Sequence, residues 1–249
     1  MRRWEGKVAL VTGASAGIGE ATAVALGRAG MRVVGCARRI ERLEGLRARL
    51  QGEGIEFMPI QADLRKEAQI LEMFDAVRSR WGGVDALVNN AGLGHSAPLI
   101  DGATEHWREM LEVNVLALCV CTREAISDMR ARGDAGHVVH ISSMAAHRVP
   151  TGSGVYAATK HAVRALTEGL RQELRALGSS IRITSVSPGF VETEFAALYH
   201  KDEAAAAETY GRTKVLEADD VAEAVLFALG MPAHAQIHDI LMRPTAQVN

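Results

Sequence analysis

Tyr156 and Lys160 stand four residues apart, the spacing that puts two side chains on one face of a helix, so a phenol and an ammonium become neighbours. A free tyrosine titrates near pH 10, and ionising it readily at neutral pH takes roughly 3 units of depression, or about 4 kcal/mol. One cation is enough: at ~4 Å and an effective dielectric of ~20, a lysine charge favours the phenolate by about 4 kcal/mol. The pair is a candidate proton donor and acceptor near pH 7. Upstream, the apolar run His137-Val-Val-His-Ile141 reads as a strand, and Ser143 stands just past its carboxyl end. Open α/β sheets bind ligands at that end.

The elements that must position these side chains alternate along the chain. Apolar runs over 7–12, 31–37, 55–60, 84–88, 137–141 and 181–187 read as strands, with a short last one near 240–242. Helical periodicity falls between them, over 20–29, 40–51, 67–80, 105–132, from Tyr156 through Leu174, and over 218–229. This order predicts a single-domain α/β protein, a Rossmann-like doubly wound parallel sheet of about seven strands with helices on both faces. The Ala/Glu-rich stretch at about 194–214 breaks the rhythm, and it predicts a helical insertion covering the site. No repeat, low-complexity tract or linker divides 1–249.

Two motifs mark the carboxyl ends of these strands, and a third candidate lies within the 105–132 helix. Thr12-Gly13-Ala-Ser-Ala-Gly17-Ile-Gly19 lies between a strand and a helix, where glycines let the backbone approach a pyrophosphate at the helix N-terminus. An ordinary strand-to-helix turn could use the same residues. Asn89-Asn90-Ala91-Gly92 closes the fourth strand, as an Asn-Gly turn also would. Asn114, among Val113, Val115 and Leu116, is costly unless hydrogen-bonded, so it is either a core brace or a working residue.

With Ser143, Tyr156 and Lys160 in this order and at these spacings, nearly the whole chain resembles the short-chain dehydrogenase/reductase family, in its shorter soluble branch. The resemblance implies hydride transfer between a nicotinamide and a carbonyl or secondary alcohol. Ser143 and Tyr156 would meet the substrate, Tyr156 would exchange its proton, and Lys160 would lower the phenol's pKa and hold the nicotinamide ribose. Asn114 would help hold a water beside Lys160 and so complete a proton relay. Coenzyme contacts are implied at Gly13, Ser15, Ala16, Gly17, Ile18 and Gly19, with Asp63 and Leu64 near the adenine. Asn90, Ala91 and Gly92 would pass the adenosine ribose, and Pro188, Gly189, Val191 and Thr193 would lie beside the nicotinamide carboxamide.

The expected coenzyme is NADP(H). A carboxylate about 20 positions past the Gly-rich loop would bind a ribose diol, whereas Arg38 and Arg39 stand there and can accommodate a 2′-phosphate. The position before Gly17, basic in many NADP-dependent relatives, is Ala16, so the phosphate would depend on the Arg pair. The alternative is a solvated helix start that continues through Arg42, Arg47 and Arg49. The C-terminal part, from Asp220 to Arg243-Pro-Thr, resembles a subgroup that includes serine-type 3-hydroxy-acid dehydrogenases and a vertebrate keto-steroid and dicarbonyl reductase. Expected substrates are therefore a ketone, dicarbonyl, hydroxy acid or steroid-like carbonyl. A 3-oxoacyl-carrier-protein reductase shares these motifs, and a non-catalytic nicotinamide-binding sensor is the rival of another class. The family likeness also implies a homotetramer.

Composition narrows the partners. The 249 residues are 48% apolar, and a net charge of −2 gives no reason to expect nucleic acid or an anionic membrane. Met1-Arg-Arg-Trp leads directly into the first strand without a signal-peptide core, so a cytoplasmic protein is expected. The three cysteines, Cys36, Cys119 and Cys121, lack CxxC spacing and read as packing residues. Among nine histidines no pair has HxxxH spacing on a helix with a supporting carboxylate, and no metal is expected. His95 and His147 fall near the expected cleft.

Overall fold

The computed structural model describes residues 1–195, 199 and 214–247. Strands β1 (Val8–Thr12), β2 (Arg32–Ala37), β3 (Phe57–Gln61), β4 (Ala86–Asn89), β5 (His137–Ile141), β6 (Arg182–Pro188) and β7 (Asp239–Met242) form one parallel sheet in the order β3-β2-β1-β4-β5-β6-β7. Helices α1 (Gly17–Arg28), α2 (Ile40–Gly52) and α3 (Glu67–Trp81) connect the first four strands. Helices α4 (Thr104–Leu111), α5 (Ala117–Ala131), α6 (Gly154–Ala176) and α7 (Ala218–Gly230) come later in the chain. The strand order reverses between β1 and β4, which opens a crevice beyond their carboxyl ends.

Alternation along buried strands explains why helices are needed on both faces. On β1, Ala9 and Val11 pack with Leu26 of α1, Leu43 of α2 and Val221 and Val225 of α7. Val8 and Leu10 point the other way, onto Phe74 of α3, Cys121 and Ala125 of α5 and Leu174 of α6. Pro59 lies in β3, an edge strand, where its missing N–H costs no ladder bond on the open side. Its partner Gly35 has no side chain because the Phe57 ring fills that space.

The long helix expected over 105–132 is instead α4 and α5 joined by a π-helical turn, Glu112–Leu116, with Asn114 at its centre. The extra residue in that turn shifts the register of α5 relative to α4, a device frequent at functional sites. The expected insertion at 194–214 falls mostly outside the described residues. Among those described, no helix is long and apolar enough to cross a membrane.

Candidate active site

At the carboxyl end of β1 the chain takes left-handed conformations at Gly13 (φ 68°) and Gly17 (φ 54°), which a side chain would strain. A Cβ on Gly13 would also lie 3.0 Å from the Ala91 Cα. Gly19 has no room for a Cβ against the Gly13 carbonyl and Asn90. Thr12 ties this loop to β4: its Oγ1 accepts from Asn90 N (3.0 Å) and Ala91 N (2.9 Å), while Asn90 Nδ2 donates to Thr12 O (2.9 Å). The first turn of α1, at Gly17, Ile18 and Gly19, has no side-chain cap from Ala16, so its leading amides face the crevice without a side-chain partner. This is a cradle for a phosphate group, and in that respect the residues fit a dinucleotide.

The adenosine end fits as well. A cavity of about 480 Å³ is lined by Arg38, Gln61, Asp63, Gln69 and Glu72. Asp63 is fixed by Arg65, which donates to Oδ2 at 2.7 Å and holds the carboxyl below its usual range. Leu64 packs against the core beside it. Arg39 Nη2 reaches Ser15 Oγ at 3.3 Å, so the Gly-rich loop and the end of β2 already touch. On the far side, β6 ends at Pro188, and Val191 pairs with Leu216. Thr193 comes so close to Gly17 that a Cβ there would meet its methyl at 3.0 Å.

The proton-handling groups meet between these ends. Ser143, extended past β5, accepts from Ala145 N at 3.0 Å, which leaves its own O–H free to donate, and it shares a hydrogen bond with Tyr156. Lys160, buried at 6% exposure, donates to Ile141 O at 3.1 Å, with its Nζ 5.9 Å from the centre of the Tyr156 ring. Asn114 clamps the backbone of one residue on the loop after β4: Leu93 N donates to Oδ1 at 2.9 Å, and Nδ2 donates to Leu93 O at 2.8 Å. Asn114 Nδ2 also donates to Thr159 Oγ1 (3.1 Å), and that hydroxyl donates to Tyr156 O (2.7 Å). Gly92 stands where a Cβ would lie 3.4 Å from Asn114 Oδ1 and 3.5 Å from Lys160 Nζ. The two polar atoms thus border the same small space.

One expectation needs correction. Burial pushes the Tyr156 phenol up to about 12, with the Ser143 hydrogen bond opposing and Tyr199 adding, while burial lowers Lys160 to about 8. The single-cation arithmetic omitted the desolvation of both groups, which is the largest influence on each. Tyr156 is therefore a firmly protonated acid at neutral pH.

Phe195 and Tyr199, which motif reading missed, stack on one another (6.0 Å) and pack against the Tyr156 ring at 5.5 and 6.1 Å. Ser153 Oγ and Tyr199 Oη are 2.6 Å apart. Thr159 was missed too; its signal is its place directly before Lys160 in Tyr-Ala-Ala-Thr-Lys. The two histidines expected near the cleft are held by carboxylates, His95 by Glu109 (2.8 Å) and His147 by Asp239 (3.1 Å). His140 is fully buried between Thr122 and Thr167, and burial lowers it to about 3. No cluster among the described residues could hold a metal ion.

Residues 7–204 match the family model of the short chain dehydrogenases. The chain is 53% identical over 254 residues to dehydrogenase/reductase SDR family member 11 of Bos taurus, covering 100% of both proteins. It is 42% identical to the farnesol dehydrogenase of Aedes aegypti, covering 99% of each. Among solved structures, the closed form of serine dehydrogenase complexed with NADP+ superposes with a TM-score of 0.92 at 36% identity, over 97% of this chain and 96% of that one. The chain belongs to the short chain dehydrogenase family and is an oxidoreductase acting on alcohol and carbonyl groups.

Proposed function

We propose that this protein is an NADP(H)-dependent reductase of uncharged, apolar carbonyl compounds, ketones above all, and that it oxidises the matching secondary alcohols. The observation that carries this reading is Tyr156, a buried phenol hydrogen-bonded to Ser143 and walled by the rings of Phe195 and Tyr199. Bound coenzyme supplies or accepts the hydride at the substrate carbon. Ser143 donates its O–H to the carbonyl oxygen and holds it beside the phenol. Tyr156 gives that oxygen its proton as the carbon is reduced, and its raised pKa keeps it in the acid form this direction requires. Lys160, a cation below about pH 8, stabilises the phenolate left behind. The space bordered by Asn114 and Lys160 admits the proton that restores it.

Gly13 to Gly19, Asn90 to Gly92 and Pro188 to Thr193 would hold the dinucleotide, with Arg38 and Arg39 taking the 2′-phosphate. The absence of an acidic residue at the end of β2 and the free guanidinium of Arg38, which makes no ion pair among the described residues, support NADP(H) over NAD(H). Assembly into a tetramer is part of the same reading, supported by exposed Leu111 (51%) and Leu116 (60%) around the π-helical turn.

A panel of ketones, 2,3-diketones, β-hydroxy acids and acyl thioesters, run with wild type and Tyr156→Phe, tests the proposal. Turnover should centre on the apolar ketones and fall by about 10²- to 10⁴-fold in the variant, with coenzyme binding little changed. Activity confined to acyl-carrier thioesters would assign the chain to that reaction instead. A wild type inert across the panel would leave the sensor reading standing.

A further inference from the structure

Glu194 lies directly after the segment that crosses the Gly-rich loop, and its carboxylate accepts from two arginines, Arg39 Nη1 at 3.0 Å and Arg42 Nη1 at 2.6 Å. Arg39 is the side chain whose other nitrogen touches Ser15. A single guanidinium thus joins the phosphate-binding loop to the segment bearing Thr193, and the anion balancing it belongs to the chain itself. The three side chains are between 41% and 44% exposed. Ion pairs in such positions are weak and salt-sensitive, so a more highly charged anion can displace the carboxylate.

We propose that Glu194 is a specificity-determining residue for the coenzyme: its carboxylate competes with the 2′-phosphate for Arg39, and phosphate binding leaves it paired with Arg42 alone. The inference rests on the NADP(H) reading. Glu194 lowers affinity for phosphorylated dinucleotides without touching unphosphorylated ones, so it narrows the gap between the two coenzymes. It also makes the second anchor of the Thr193 segment available only when no phosphate is bound. Arg42, one helical turn beyond Arg38, keeps the carboxylate nearby and ready to return.

Calorimetric titration of the full chain with 2′,5′-ADP and with 5′-ADP separates the possibilities. In Glu194→Gln and Glu194→Ala, 2′,5′-ADP should bind about 2- to 5-fold tighter than in wild type, from the release of one exposed pair. Affinity for 5′-ADP should stay the same, and the gain should shrink in 0.5 M salt. No gain, weaker 2′,5′-ADP binding in both variants, or equal gains for both nucleotides would overturn the competition while leaving NADP(H) preference intact. A wild type that fails to distinguish 2′,5′-ADP from 5′-ADP would overturn the NADP(H) reading, and this inference with it.

Discussion

Gly92→Ala offers a way to separate proton supply from folding. Gly92 has no left-handed φ, and a Cβ there would meet Asn114 Oδ1 at 3.4 Å, Lys160 Nζ at 3.5 Å and Asn90 O at 3.8 Å, all ordinary contacts. The folded state should accept the methyl, and the less flexible unfolded chain favours folding by about 0.4–1 kcal/mol. For a chain of this length that raises the melting temperature by about 1–4 °C. The same methyl occupies the space that Asn114 and Lys160 border, through which Tyr156 would be reprotonated. At saturating NADPH and ketone, kcat should fall about 100-fold, the low end of what positioned proton transfer contributes. Differential scanning fluorimetry and steady-state kinetics read the two effects independently. An unchanged kcat would remove the relay from this space. A melting temperature lowered by more than about 4 °C would show that the site cannot accept the methyl.

Arg38→Ala should weaken NADPH binding by about 10- to 150-fold, the loss of one charge-assisted contact, and barely alter NADH; equal losses in both Michaelis constants would refute a phosphate-reading role. His140 predicts an acid-sensitive fold. Its folded-state pKa near 3 lies below its unfolded value, so the unfolded chain takes up a proton below about pH 6.5 that the folded one refuses, and stability falls as pH drops. Urea unfolding at pH 6.5 and 5.5 should show this group costing roughly 1 kcal/mol over that interval, and His140→Asn should remove that share of the slope. Alcohol oxidation needs the phenolate of Tyr156, so its rate should climb with pH past neutrality while ketone reduction does not; parallel pH profiles would contradict the raised phenol. Light scattering at micromolar protein should give the mass of a tetramer, and a monomer mass would refute that assembly.

The strand-helix alternation was legible because buried parallel strands need apolar runs and amphipathic helices need their own period. The Gly-rich loop and the Tyr-Ala-Ala-Thr-Lys helix were legible because each is local. The π-helical turn was not: Glu112 to Leu116 contains no Gly or Pro, and the partner of Asn114 at its centre is the backbone of Leu93, 21 residues away. Nor could the sequence show Glu194 meeting Arg39, since the two lie 155 residues apart. The direction of the Tyr156 shift was misread for a related reason. Helical spacing puts the lysine alongside, whereas desolvation depends on Phe195 and Tyr199 arriving from another part of the chain.

The closeness of Thr193 to Gly17 bears on the order of events in turnover. A methyl built on Gly17 would meet Thr193 at 3.0 Å, so Thr193 lies directly against the loop proposed to take the pyrophosphate. If the dinucleotide is seated by displacing the Thr193 segment, the substrate arrives afterwards, against the Phe195 ring that follows it. Such an enzyme shows a compulsory-order steady-state pattern with coenzyme first on and last off. Its maximal velocity with good substrates is set by how fast the spent dinucleotide escapes, and is insensitive to deuterium on the transferred hydride.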